Sequence, residues 1–183
     1  MREPKVASPD DRIEIVPLNN PFYISSSQEF MEMVKEYATS EMKIPSINAE
    51  SLHNYLCNFV QGIFDQQVKG MNERSIRQRV LAGYINGKLA GFTLFYMLPN
   101  RMPHIQTLDW AYIHTTDNRI SYLFAKEVKK CKRLWGAAYI SFVAANKHLA
   151  KVSRRLFKAT HKGGEWLIVK DVNDALLKIG IDT

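Results

Sequence analysis

Asp109 is the residue of this chain whose type and position most suit proton transfer. It lies in the alternating run from His104 to His114, on the side shared with Ile105, Thr107, Ala111 and Ile113. Apolar neighbours disfavour an ionised carboxylate, which raises its pKa toward the range of a general base. The plainer reading is a carboxylate satisfied by backbone or by an arginine in an ordinary core. His114, at the end of the same run, is a second candidate base or simply a solvent-facing imidazole. Tyr112 and Glu165 are open to the same chemistry, and the sequence does not rank them. After His114 comes a short polar loop, Thr115-Thr-Asp-Asn118, and then a helical pattern. This strand–loop–helix order is the unit in which α/β proteins place ligands at strand C-termini and helix N-termini.

A second constellation is electrostatic. Between Arg119 and Lys162 stand twelve Lys or Arg and one acid, Glu127, a net of +11 in a chain whose total is +7. Helical spacing puts Lys147, Lys151, Arg154 or Arg155, and Lys158 on one side of a helix that begins near Asn146. Arg119, Lys126, Lys129, Lys130, Lys132 and Arg133 are expected to cover the exposed surface of the helix before it. A purely solubilising face mixes signs, whereas this one points to a polyanion, either DNA or RNA phosphates or an acidic protein surface. The chain has no helix-turn-helix, zinc-finger or RNP pattern, so nucleic-acid contacts are expected at the backbone.

These residues must be positioned by a core. At 183 residues and 46% hydrophobic, the chain suffices for a single domain over 1–183, with 1–11 flexible and 171–183 docked as a short helix. The apolar runs fall short of the ~18 residues a membrane span needs, and the start lacks a signal-peptide core. Cys57 and Cys131 read as free buried thiols, with no cysteine and histidine cluster to hold a metal. Together these features imply a cytoplasmic protein with no membrane or metal partner.

The elements follow in order. Arg12 to Val16 reads as a strand ended by Pro17 and Pro21. Ser25-Ser-Ser27 caps a helix that buries Phe30, Met33, Val34 and Tyr37. Asn48 caps a second, with the stripe Leu52, Tyr55, Leu56, Phe59, Ile63 and Phe64. Two β-rich runs, Val80 to Ile85 and Lys88 to Met97, are joined by Asn86-Gly87, the pair that suits a tight type I′ turn. A third strand runs from His104 to His114. Asn118 opens a helix that buries Ile120, Leu123, Phe124, Val128, Cys131 and Trp135 and ends at Gly136. Ala137 to Ala145 is a two-sided buried strand. A second basic helix, to Lys162, buries Leu149, Val152 and Leu156. A Gly163-Gly164 turn and a strand from Trp166 to Lys170 close the pattern.

This order resembles the GNAT N-acyltransferase superfamily over roughly residues 12 to 170. Tyr139-Ile-Ser-Phe-Val-Ala-Ala-Asn146 looks like the end of that family's fifth strand, where an asparagine precedes the helix flanking the acyl-CoA. Within the superfamily the chain is most similar to small bacteriophage-encoded GNAT-like proteins with a shortened cofactor loop and a basic third helix. The resemblance implies an α/β fold with a mixed central β-sheet flanked by helices. It implies acetyl-CoA as cofactor, contacted from Thr115, Thr116, Asn118, Arg119 and Asn146, and a small-molecule or protein amine as acceptor. Asp109, or else His114, would then be the general base.

Two positions depart from the family. Where it has Gln/Arg-x-x-Gly-x-Gly/Ala, this chain reads Thr115-Thr-Asp-Asn-Arg-Ile-Ser121, with no glycine. Asp117 there opposes an incoming phosphate by ~0.3–1 kcal/mol, and Arg119 partly offsets it. The family's proton-donating tyrosine falls on Ser153, a poorer donor to a thiolate than a phenol of pKa ~10. Three functions are therefore expected from the sequence: an N-acyltransferase, an inactive GNAT-fold protein that binds nucleic acid through 119–135 and 146–162, or an assembly protein of a phage particle, in the host cytoplasm or the virion.

Overall fold

The structure, a computed structural model, describes residues 8–40, 46–98, 104–107, 112–113, 118–142, 151, 154–155, 160–162 and 165–168. Its strands are β1 (Ile13–Pro17), β2 (Gln78–Ile85), β3 (Lys88–Leu98), β4 (His104–Thr107), β5 (Tyr112–Ile113), β6 (Tyr139–Phe142), β7 (Thr160–Lys162) and β8 (Glu165–Ile168). The helices are α1 (Pro21–Ser26), α2 (Gln28–Ser40), α3 (Ser46–Val68) and α4 (Asn118–Trp135). All strands join one mixed sheet in the order β1-β2-β3-β4-β6-β8-β7, with β5 also on β3. Its pairs are antiparallel except β4 with β6, which α4 connects as a parallel crossover. This is the mixed α/β sheet flanked by helices that the sequence implies.

The sheet is apolar on both faces because β2 and β3 feed two cores. Leu81, Ile85, Phe95 and Met97 pack with α4 through Ile120, Phe124, Val128, Cys131 and Trp135. Val80, Ala82, Leu89, Phe92 and Leu94 pack with α1–α3 through Ile24, Phe30, Met33, Val34, Leu56 and Val60. Strict alternation would set Leu89 and Phe92 on opposite faces. A bulge moves them to the same one: Gly83 pairs Gly91 but Tyr84 pairs Leu89, so β3 carries Ala90 as an extra residue.

Local chemistry explains most of the boundaries. Asn86 and Gly87 take φ of 50° and 78°, the left-handed conformations a type I′ hairpin needs. Ser27 Oγ accepts from Phe30 N at 3.2 Å and caps α2. Gly136, at φ 67°, closes α4 with two bonds, Ala137 N to Lys132 O at 3.0 Å and Gly136 N to Arg133 O at 3.3 Å.

Several expectations need correction. Pro21 does not merely stop β1; it is the first residue of α1, whose cap Asn20 accepts from Phe22 N at 3.0 Å. Helix α3 starts at Ser46, ahead of Asn48. Its buried stripe is His53, Leu56, Val60 and Ile63, while Tyr55 and Phe64 are exposed, because the helix turns that face to the sheet. Residues Thr160–Lys162 form β7, antiparallel to β8, so the second basic helix stops short of Lys162. The expected C-terminal helix at 171–183 lies outside the described residues.

Gly83 sets how closely α4 approaches the sheet. A Cβ there would meet Ile120 Cγ2 at 2.8 Å and Phe124 Cζ at 3.4 Å, both on buried side chains. Gly83→Val is expected to cost ~1–3 kcal/mol by overpacking. A Cβ on Gly62, in the interior of α3, would meet only Gln78 Oε1, at 3.8 Å, so Gly62→Ala should stabilise by ~0.5–1 kcal/mol. Urea denaturation should show the two midpoints moving in opposite directions at an unchanged slope.

Candidate active site

Strands β4 and β6 form the only parallel pair among the described residues. Their register runs from His104 with Tyr139 to Thr107 with Phe142. Past Thr107 the chain returns to β3 at Tyr112 and Ile113, opposite Phe92 and Gly91. Four residues separate Thr107 from Tyr112, but only two separate their partners Phe95 and Phe92. The register against β3 therefore shifts by two residues between β4 and β5, an even shift that keeps Thr107 and Tyr112 on opposite faces, as the alternation expected over His104 to His114 has them. Among the described residues, β5 pairs with β3 alone. Helix α4 begins at Asn118, five residues beyond Ile113.

Of the expected site residues, Asp109, His114, Thr115, Thr116, Asn146, Lys147, Ser153 and Lys158 lie outside the described residues. Asn118 is placed by its backbone as the first residue of α4. That helix has no acidic residue in its first turn and two cations, Lys132 and Arg133, in its last, the distribution that complements its dipole.

Arg119 holds the N-terminal segment. Its Nη2 donates to Ser8 O at 2.8 Å and its Nη1 to Pro9 O at 3.3 Å and Asp11 O at 3.4 Å. The same segment is knit to the hairpin, since Arg12 N donates to Asn86 Oδ1 at 2.8 Å and Asn86 Nδ2 to Asp11 Oδ1 at 2.7 Å. Residues 8–11, expected to be flexible, are therefore tied to the start of α4. A phosphate would have to share the guanidinium with these carbonyls.

The remaining cations divide by exposure. Lys126, Lys130 and Arg133 are exposed on α4, as are Lys151, Arg154 and Arg155, which are helical. Lys129 is not part of that surface: it is 8% exposed, because it follows Ala125 and Val128 onto the edge of the buried stripe. Lys130 pairs with Glu127 at 3.6 Å.

Two features had no local signal. Tyr23 and Tyr84, 61 residues apart, share a 2.6 Å hydroxyl contact beside a cavity of about 450 Å³. Burial, then the bond to Tyr23 and the nearby Glu29 charge, hold the Tyr84 phenol above its ordinary range. A larger cavity, about 750 Å³, lies between β1, the end of α3 and α4, with Arg79, Lys126, Glu127 and Lys130 among its lining. Arg79 donates to the carbonyls of Ile76, Gln78 and Glu73 and stacks 5.2 Å over the Trp135 ring. No metal-binding cluster and no helix long and apolar enough to cross a membrane occurs among the described residues.

With this geometry in view, similarity to known proteins is confined to structure. No protein-family model matches the chain, and no curated protein matches it in sequence. The fold is that of GNAT acetyltransferases. PaiA N-acetyltransferase from Thermoplasma acidophilum, in complex with coenzyme A, superposes with a TM-score of 0.59 at 14% identity, covering 85% of this chain and 96% of its own. A ribosomal-protein-alanine N-acetyltransferase from Brucella melitensis biovar Abortus 2308 gives 0.54 at 16% identity, covering 83% and 94%. YncA from Salmonella typhimurium, with its cofactor acetyl-CoA, gives 0.51 at 11% identity, covering 85% and 88%.

Both cysteines are free, Cys131 buried and Cys57 partly so. Burial pushes the Cys131 thiol up to about 12 and also raises Cys57. A thiol whose folded pKa lies above its unfolded value binds its proton more tightly when folded. Its contribution to stability is present below pH 9.0 and is lost as pH rises from 9.0 through about 12. Thermal melts should fall over that window, and Cys131→Ala should flatten the decline. At pH 8 a disulfide reagent should label Cys131 only after denaturant is added.

Proposed function

We propose that the protein is an N-acyltransferase that takes acetyl-CoA at the C-terminal ends of the parallel strands β4 and β6. The observation that supports this reading is the parallel β4–β6 pair in the same sheet as β5, with α4 following β5 in the chain, in a fold shared with acetyltransferases. The N-terminal turn of α4, free of acids, suits a pyrophosphate. Thr115, Thr116 and Asn118 would line it, with Asn146 on the facing helix. The cofactor would supply the activated thioester. Asp109, or a water it holds, takes the proton of the acceptor amine, with His114 as the alternative base. Ser153 is not required. Arg119 acts mainly through its charge while it holds residues 8–11 in place.

Calorimetric titration with acetyl-CoA is expected to saturate, with an affinity weaker than low micromolar because Asp117 opposes the phosphates. With a panel of primary amines, Asp109→Asn should lower turnover by ~10²–10⁴ with the fold retained by circular dichroism. Ser153→Ala should leave turnover nearly unchanged. Absence of binding at millimolar acetyl-CoA would overturn the reading, as would a large loss with Ser153→Ala and none with Asp109→Asn.

The exposure of Lys126, Lys130, Arg133, Lys151, Arg154 and Arg155 favours a second reading, a surface that holds nucleic-acid phosphates. Four to six contacts would give log affinity against log salt a slope of roughly −4 to −5 on duplex DNA. Replacing Lys151, Arg154 and Arg155 with alanine should reduce its magnitude by up to ~3. An affinity independent of salt would return these cations to a solvating role.

A further inference from the structure

We propose that the outer edge of β1 docks an extended, acidic segment of another protein as an additional strand of the sheet. The inference does not rest on acyl transfer, and it uses the β1 end of the sheet, with β2 and β3 between it and the β4–β6 pair.

The first observation is the backbone. Strand β1 stands at the end of the strand order, and among the described residues it pairs only with β2. Asn86 N donates to Arg12 O at 2.8 Å, and Leu18 N donates to Val80 O at 2.8 Å. In the β1–β2 register these are the pairs on either side of Ile13 with Ile85 and Pro17 with Leu81. Hydrogen-bonded pairs alternate along an antiparallel ladder, so Glu14 and Val16 also bond toward β2. The N–H and C=O of Ile13 and Ile15 therefore point away from the sheet. Pro17 offers its C=O but no N–H, which ends the usable edge there.

The second observation is that both faces beside this edge are hollow. Ile15 contributes to the 750 Å³ cavity under α4, and Glu14 and Val16 contribute to the 450 Å³ cavity beside Tyr23 and Tyr84. Alternate side chains of an added strand would enter one cavity and then the other, which gives side-chain selection on top of the backbone bonds.

The third observation is charge. At the larger cavity Lys126 and Lys130, both exposed and one turn apart, stand with Arg79 against two acids, Glu73 and Glu127, the latter 3.6 Å from Lys130, which leaves the lining one positive charge in excess. An acidic side chain on the α4 face is the complement. Two copies of this chain joined edge to edge would instead bring their basic helices together on one face of the sheet, and charge disfavours that arrangement.

The test is amide exchange by NMR on the full chain. In the free protein, the Ile13 and Ile15 amides should exchange faster than those of Glu14 and Val16. A capped hexapeptide alternating valine and glutamate should slow Ile13 and Ile15, while a valine–lysine counterpart should not. Reversing the rim with Lys126→Glu and Lys130→Glu, both on the surface, should weaken that peptide by about tenfold. The proposal is overturned if the free protein lacks the alternation, if the acidic peptide does not bind, or if it binds without protecting Ile13 and Ile15. Protection that rises with protein concentration alone, together with a doubled mass, would assign the edge to a second copy and equally overturn it.

Discussion

The fold depends on one constraint, that β2 and β3 must be apolar on both faces while joined by a two-residue turn. Asn86 and Gly87 hold the two strands in register, and the extra residue at Ala90 lets Leu89 join Phe92 in the α1–α3 core. With both faces apolar, helices must cover both. Helices α1–α3 take one side and α4 takes the other. Because Gly83 lacks a side chain, Ile120 settles directly on β2, and the start of α4 is drawn down to the sheet end where β5 finishes. The position of the candidate site is a consequence of that contact.

The charge of α4 follows from the same packing. A helix that buries Ile120, Phe124, Val128, Cys131 and Trp135 has its remaining surface for polar residues, and here that surface is filled with lysine and arginine. Two cations break the division for physical reasons. Lys129 sits at the margin of the stripe and is covered. Arg119, at the helix start, bonds three carbonyls of the preceding N-terminal segment, which converts a surface charge into a clasp joining residues 8–11, the hairpin and α4. Arg79 does similar work at the other end of the helix, under Trp135.

The two sides of the sheet carry different potential. At β4 and β6 lies the only parallel pair among the described residues, and the chain leaves that region for the N-terminus of α4, an arrangement suited to an anionic ligand. At β1 the sheet ends in outward-facing backbone between two cavities. These arise from how α1, α3 and α4 overhang an edge strand.

By itself the sequence determined what is local. The Asn86-Gly87 turn, the Ser27 cap, the Gly136 stop, the apolar faces of α2 and α4 and the concentration of positive charge all follow from neighbouring residues, and the order of elements was enough to indicate the fold. It misplaced what depends on packing: which face of α3 turns inward, the burial of Lys129, the bulge at Ala90 and the strand at Thr160–Lys162. The candidate site was only partly legible. A strand followed by a polar loop and a helix marked its place, but the change of register between β4 and β5 against β3 left no mark on the alternating run. Contacts between distant residues decided the rest, because Tyr23 meets Tyr84, and Arg119 meets Ser8, only once the strands between them have paired.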